Sequence, residues 1–333
     1  MEIPTNITED LDNQGDSTTR SLTLTSRLTV EMGILYLGYL LLILTSLVGN
    51  SLLIHIIRTK HFLKTATNRL ILNQACADLI ATLTSMTAMF SDSLFFKEWF
   101  GGMNGLVTCR VAVWVYFLPP FCSVWTLTAI TIDRYFGVAR PLQSSPITRH
   151  IRLVIMGLWI WAIGSAAGME VMTHLAFIGR HVFCVIDYSH VTMNVGNITA
   201  LCLLRLNFLV PLLAMTVLYS IVSYRLWSRN PPGEGTNHDQ RQVEVMKTAK
   251  KVSRMMIVVV VLFVLCWCPF HVFVGLYSLH KISLPYPALK FVVWLSNAYS
   301  AINPLIYFSF NSNFKLELKV LFGKCCKKPK CCT

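Results

Sequence analysis

The chain has 333 residues, of which 54% are hydrophobic and only 14% charged, with a mean hydropathy of +0.55. Ordinary soluble domains carry about 25% charged residues, so the composition excludes that class and points to an integral membrane protein. A net charge of +13 would suggest nucleic acid in a soluble protein; in a membrane protein it signals topology, and the positions of the charges decide.

Residues 1–31 are polar, without an early apolar run behind a basic start. They are expected to form an unstructured extracellular tail with no cleavable signal peptide, carrying a glycosylation sequon at Asn6-Ile7-Thr8. Apolar stretches long enough for ~30 Å of hydrocarbon follow near 32–57, 69–91, 107–138, 150–172, 199–226, 252–278 and 287–309. They are continuous runs rather than the alternating strands of a membrane barrel. No 20–50-residue repeat supports a repeat-built transporter. The expected fold is all-α: a seven-transmembrane helix bundle over 32–311, a short amphipathic cytoplasmic helix over 312–322 and a Cys/Lys-rich tail over 323–333.

The connections between spans 1 and 2, 3 and 4, and 5 and 6, with the C-terminal segment, hold 21 of the 29 basic residues and five acids. That side carries +16 and the remainder −3. The positive-inside rule makes it cytoplasmic, with the N-terminus outside. A second sequon, Asn197-Ile198-Thr199, lies at the edge of the fifth span, where proximity to the membrane competes with modification.

Five of the eleven cysteines lie inside apolar runs and read as small buried hydrophobes. Cys109, at the outer start of the third span, and Cys184, in the loop before the fifth, face the oxidising side, so a disulfide is expected. Residues 174–177 and 182–186 flank Ile178-Gly179-Arg180-His181 as a strand–turn–strand, a β-hairpin in the second extracellular loop.

Charges within spans are costly and mark function. Asp78, in the second span, could bind a cation, join a polar network with Asn50, Ser123, Ser300 and Asn303, or remain a protonated, hydrogen-bonded acid. Asp133-Arg134-Tyr135 closes the third span. Trp267-Cys268-Pro269 and Asn303-Pro304-Leu305-Ile306-Tyr307 place prolines inside the sixth and seventh spans, where each removes a helix hydrogen bond. Asn303 is positioned to fill a freed backbone group. Pro119-Pro120 should distort the third span.

In this order and on these spans the motifs resemble those of rhodopsin-like G-protein-coupled receptors, over about residues 32–322. The resemblance rests on Gly49-Asn50, Asp78, Cys109, Asp133-Arg134-Tyr135, Pro141, Trp161 (with Trp159 as rival), Pro211, Tyr219, Phe263, Cys266-Trp267-Cys268-Pro269, Asn303-Pro304, Tyr307 and Phe314. It implies a non-enzymatic receptor that activates a heterotrimeric G protein by outward movement of the sixth helix. Arrestin and a receptor kinase would be further partners, and membrane lipid would surround it. Arg134 would be held by Asp133 at rest, then freed, with Tyr219 and Tyr307 swinging in. Val124, Pro211, Phe263, Trp267 and Pro269 would couple the ligand to the sixth helix. Asp78, Ser123, Ser300 and Asn303 would line an allosteric sodium site. Three departures stand out: Ala249 where many relatives have an acid, Gln74 for a usual leucine, and Tyr299 for a common asparagine.

Tyr116 replaces the aspartate of amine receptors, and Asn297 the lysine of opsins. Thr65-Ala66-Thr67-Asn68, the short loop between the fifth and sixth spans and the hairpin are similar to neuropeptide receptors, so a peptide ligand is favoured. The alternatives are a small molecule or lipid, a constitutively active receptor and, more distantly, a transporter. The expected pocket comprises Asp92, Tyr116, Phe117, Pro120, His271, Tyr277 and Asn297 above Trp267. Arg205 could meet a ligand acid but is expected to snorkel. The Phe314–Phe322 segment has amphipathic spacing, and Cys325-Cys326 beyond it are palmitoylation candidates.

Overall fold

A computed structural model describes residues 17–95, 98–140, 143–188, 195–228, 237–279 and 286–325. Asn6, Pro141 and Cys326 lie outside these residues, as do the side chains of Asp92, Ala249 and Cys325. The described chain contains α1 (Ser17–Thr59), α2 (Ala66–Ala81), α3 (Thr87–Phe95), α4 (Gly102–Ala139), the short α5 (Pro146–Arg149), α6 (Ile151–Ala167), α7 (Val195–Trp227), α8 (Asn237–Ser278), α9 (Tyr286–Phe310) and α10 (Ser312–Cys325). Strands β1 (Thr173–Ile178) and β2 (His181–Ile186) form one antiparallel hairpin.

Among the described residues five helical runs are apolar and long enough to cross a membrane: Val30–Thr59, Gly102–Ala139, Ile151–Met172, Val195–Trp227 and Ser253–Ser278. The α2–α3 run and α9 complete the seven-helix bundle. Their lower apolarity has a structural reason, since they bring buried Asn73, Gln74, Asp78, Ser300 and Asn303 to the bundle interior. Large apolar side chains such as Ile34, Leu41, Leu213 and Leu265 point outward instead, onto the surface that lipid would cover.

The first helix begins at Ser17, inside the stretch expected as an unstructured tail. Residues 17–32 contain no glycine or proline to end a helix that continues downstream. The Thr65 side chain caps α2 by accepting from the Asn68 amide at 3.3 Å. A five-residue π-helical stretch, Thr82–Met86, joins α2 to α3. There the Thr82 hydroxyl lies 2.6 Å from the Ser46 hydroxyl of α1 and donates to the Asp78 carbonyl at 2.7 Å.

The prolines do not interrupt their helices. Each leaves the carbonyl four residues earlier without its helical donor, and for two of them a neighbouring helix supplies the replacement. Ser85 donates to the Tyr116 carbonyl freed by Pro120, at 3.0 Å. Asn50 on α1 donates to the Ser300 carbonyl freed by Pro304, at 3.2 Å. The second finding corrects the role expected of Asn303, whose amide is instead drawn to the stronger acceptor, the Asp78 carboxylate.

Close approach of α1 and α9 requires Gly49, since a Cβ there would lie 2.7 Å from Pro304 Cγ. Gly49→Ala should therefore destabilise the bundle by about 1–3 kcal/mol through overpacking. A thermal-unfolding series in detergent checks this, and an unchanged midpoint would refute the packing argument.

Candidate functional site

The site has three levels. At the inner end of α4, Asp133 is buried and accepts from Thr67 at 2.6 Å and from Thr148 at 3.0 Å. Adjacent residues on a helix do not face one another, yet the long Arg134 side chain curls back to Asp133 at 2.9 Å and touches Thr67. Tyr219 is buried beside them, its hydroxyl 3.1 Å from that of Thr131. Tyr135 is half-buried and meets Phe136 edge to face. Thr67 and Thr148 were not foreseen as partners. Hydroxyls near helix starts are common, and only the fold brings these two to one carboxylate.

The middle level is a buried polar cluster. Ser123 donates to one oxygen of Asp78 at 3.0 Å and Asn303 to the other at 2.8 Å. The Ser300 side chain also reaches that carboxylate. Tyr307 donates to Gln74 Oε1 at 2.9 Å, which ties α9 to α2. Among the described residues two buried atoms nearby lack a partner, Asn50 Oδ1 and Asn303 Oδ1, while the Tyr299 hydroxyl lies within reach of Gln74. Trp159 and Trp161 part company here. Trp159 donates to Asn73 on α2 at 2.9 Å, whereas Trp161 donates to Asn207 on α7 at 3.0 Å.

Above the cluster an aromatic column joins the levels. Phe263 packs on Phe208 with centroids 5.6 Å apart and on Tyr299 at 5.5 Å. Val124 and Trp267 belong to the same packed core, and Pro211 is buried on α7. Pro269 lies within α8. His271 stacks on Phe208 at 4.1 Å with an interplanar angle of 16° and lies 6.1 Å from Trp267.

At the outer level the Cys109–Cys184 disulfide is formed, with Cα atoms 5.6 Å apart. It pins the hairpin, in which Leu175 faces Cys184 and Gly179 takes the left-handed φ of +62° at the turn. His181 on the hairpin pairs with Glu98 at 2.5 Å, and the Trp99 amide donates to the Val182 carbonyl at 2.6 Å. Tyr116 lies within hydrogen-bonding reach of Asn297, and Tyr277 packs on Phe273. Phe117 is fully buried, edge to face with Tyr116 and stacked on Phe121, while Pro120 is half-buried. Asn197 sits in the first turn of α7.

On the inner side, α10 buries Phe314 and Glu317 and exposes Leu316 and Val320 beside Lys315 and Lys319. Glu317 pairs with Lys60, from the α1–α2 connection, at 2.6 Å. This is the amphipathic face expected of a helix lying on an inner leaflet.

A disulfide-pinned hairpin over a helical bundle, an arginine held at one end and a buried acid between them define a seven-helix membrane receptor. Residues 49–307 match the model of the 7 transmembrane receptor (rhodopsin family). The chain belongs to that family. It is similar to the substance-P receptors of Cavia porcellus and Homo sapiens, each 29% identical over 297 residues, covering 87% of this chain and 70% of the relative. It is also similar to the tachykinin-like peptides receptor 86C of Drosophila melanogaster, 27% identical over 304 residues, covering 86% and 58%.

Proposed function

We propose that this receptor lies in the plasma membrane with its N-terminus outside, binds an extracellular peptide beneath the hairpin and promotes nucleotide exchange on a heterotrimeric G protein. The observation that carries the reading is the net around Arg134 at the inner end of α4, with the Phe263–Phe208–His271 column packed between α7 and α8 further out. The peptide component is supported by the relatives' names and by Tyr116 and Asn297 standing where amine receptors and opsins carry an aspartate and a lysine. An agonist acts through its differential affinity for two states, and moving the population from 1:99 to 99:1 needs about 5.5 kcal/mol. Outward movement of the inner part of α8 would open a place for the G protein beside Arg134. Arrestin and a receptor kinase would bind the same cytoplasmic side, and palmitoylation at Cys325 or Cys326 would hold α10 to the leaflet. The test is nucleotide exchange by the purified full chain in lipid discs with a peptide library. Stimulation by peptides is expected, and stimulation by non-peptide compounds alone would overturn the peptide reading.

The Asp78 cluster fits a sodium ion. Its carboxylate, Ser123, Ser300 and the unpartnered Asn303 Oδ1 are the hard oxygen donors such an ion takes. Bound there, sodium would hold α2, α4 and α9 together and favour rest. Raising sodium at constant ionic strength should lower basal exchange in the wild type and leave Asp78→Asn indifferent. Equal responses in the two would contradict the site.

The Tyr307–Gln74 hydrogen bond holds the same resting arrangement, because Tyr307 must leave α2 to support Arg134. A net hydrogen bond is worth about 1 kcal/mol, or roughly fivefold in an equilibrium. Gln74→Leu should raise basal exchange by about that factor, and an unchanged basal rate would show that the contact does not restrain the switch.

A further inference from the structure

Arg205 lies well inside α7, an apolar span in which a guanidinium is costly unless paired. The expected escape toward the membrane surface is not what the structure shows. The head turns onto α8, where it donates to the His271 carbonyl and rests against Gly275. A Cβ at Gly275 would come within 2.9 Å of the guanidinium, so the glycine leaves room for it. Among the described residues no carboxylate pairs with Arg205. Among the described residues its hydrogen-bond partner is one backbone carbonyl, and a guanidinium offers five donors.

A second polar group at the same place also lacks a partner. His271 is only 5% exposed, and its Nδ1 has no hydrogen-bond partner. The stacking on Phe208 fixes the ring. Tyr188, in the loop after β2, packs against the hydrophobic core around Phe117. Burial pushes its phenol up and the neighbouring Tyr116 adds to this, while Arg205 pulls it down, which places all three in one field. An unpaired cation, an unpartnered imidazole nitrogen and a phenol thus converge beneath the hairpin.

We propose that the ligand carries a carboxylate that binds Arg205, with His271 and Tyr188 as its other polar neighbours. The planar guanidinium matches a carboxylate in a bidentate way that lysine does not. The carboxylate comes from a peptide C-terminus, from an Asp or Glu side chain of a peptide, or from a small organic acid. The inference rests on the ligand-gated reading above and assigns the chemistry of the ligand and the residue that selects it.

Cells expressing the full chain are screened for G-protein activation with three probe sets. These are free-acid peptides, the same peptides amidated with Asp and Glu replaced by Asn and Gln, and small aliphatic and aromatic carboxylic acids. Activators are expected to carry a carboxylate, and neutralising it should weaken potency on the wild type by about 30-fold or more. On Arg205→Gln, acid and neutral forms should act alike, which a purely structural role for Arg205 would not produce. Arg205→Lys should keep part of the preference. Surface labelling reports whether the variants fold, and the paired potencies on the wild type decide even where Arg205→Gln does not reach the surface.

Equal potency of acid and neutral peptides overturns the proposal and leaves the peptide reading standing. Activation by small acids alone supports it and removes the peptide reading. No activator in any set removes both.

Discussion

Cys109→Ser should leave a chain that still inserts its helices yet loses most of its surface population and responds to agonist at least about tenfold more weakly. Insertion depends on apolar helices that satisfy their own backbone, and none of those bonds passes through the sulfur. The disulfide closes a separation of 75 residues and holds β2 to the outer end of α4. Removing a native disulfide of this kind costs about 2–5 kcal/mol. Other ties of the hairpin among the described residues include the exposed His181–Glu98 pair, the Trp99–Val182 backbone bond, the Asp187 amide donating to the Met172 carbonyl at 2.9 Å and the packing of Ile186 on the core. An exposed ion pair is worth about 0–1 kcal/mol. Tyr188, two residues beyond β2, would lose its place above Arg205 when the hairpin moves. Surface labelling with a dose–response series on Cys109→Ser and Cys184→Ser checks this. The two variants should be alike, because each removes the same bond. Wild-type expression and potency in either would contradict the disulfide's structural role.

Features set by local chemistry or by apolar length were legible in the sequence. Apolar runs placed the spans, the outer cysteines paired as expected, and Gly179 marked the hairpin turn. Asp133-Arg134 was legible as an intrahelical pair because a long side chain can reach its neighbour. Contacts that depend on how helices rotate against one another were not. The spacing cannot tell that Ser85 and Asn50 would satisfy the carbonyls freed by Pro120 and Pro304, each on a different helix. It offered Trp159 and Trp161 as rivals, and their assignment to Asn73 and Asn207 follows from helix packing alone. Gln74 was visible as an odd amide near a switch motif, but its bond to Tyr307 spans 233 residues of chain. Arg205 was read as snorkelling from its depth in an apolar run. Its turn toward α8 depends on the gap at Gly275, which no periodicity reveals.

The second large effect is expected at Arg134. The side chain is half-buried, its Nη2 engaged with Asp133 and Thr67, and its buried Nε has no partner. In Arg134→Ala the Asp133 carboxylate keeps two hydroxyl donors, from Thr67 and Thr148, so the inner end of α4 remains held. Neither packed core, around Phe263 or around Phe117, includes Arg134, and folding and ligand binding should survive. What disappears is the half-buried cation of α4 that could leave its net and meet a partner's helix C-terminus, whose carbonyls carry partial negative charge. The loss is therefore expected in coupling and not in binding, and it separates a receptor from a transporter, whose substrate flux would not require this residue.

The central measurement is guanine-nucleotide exchange on a purified heterotrimer by the full-length wild type and Arg134→Ala in lipid discs, at matched receptor density and saturating agonist from the library. The account predicts stimulated exchange by the wild type and background exchange by the variant, with agonist binding unchanged. Equal stimulation by both would contradict it.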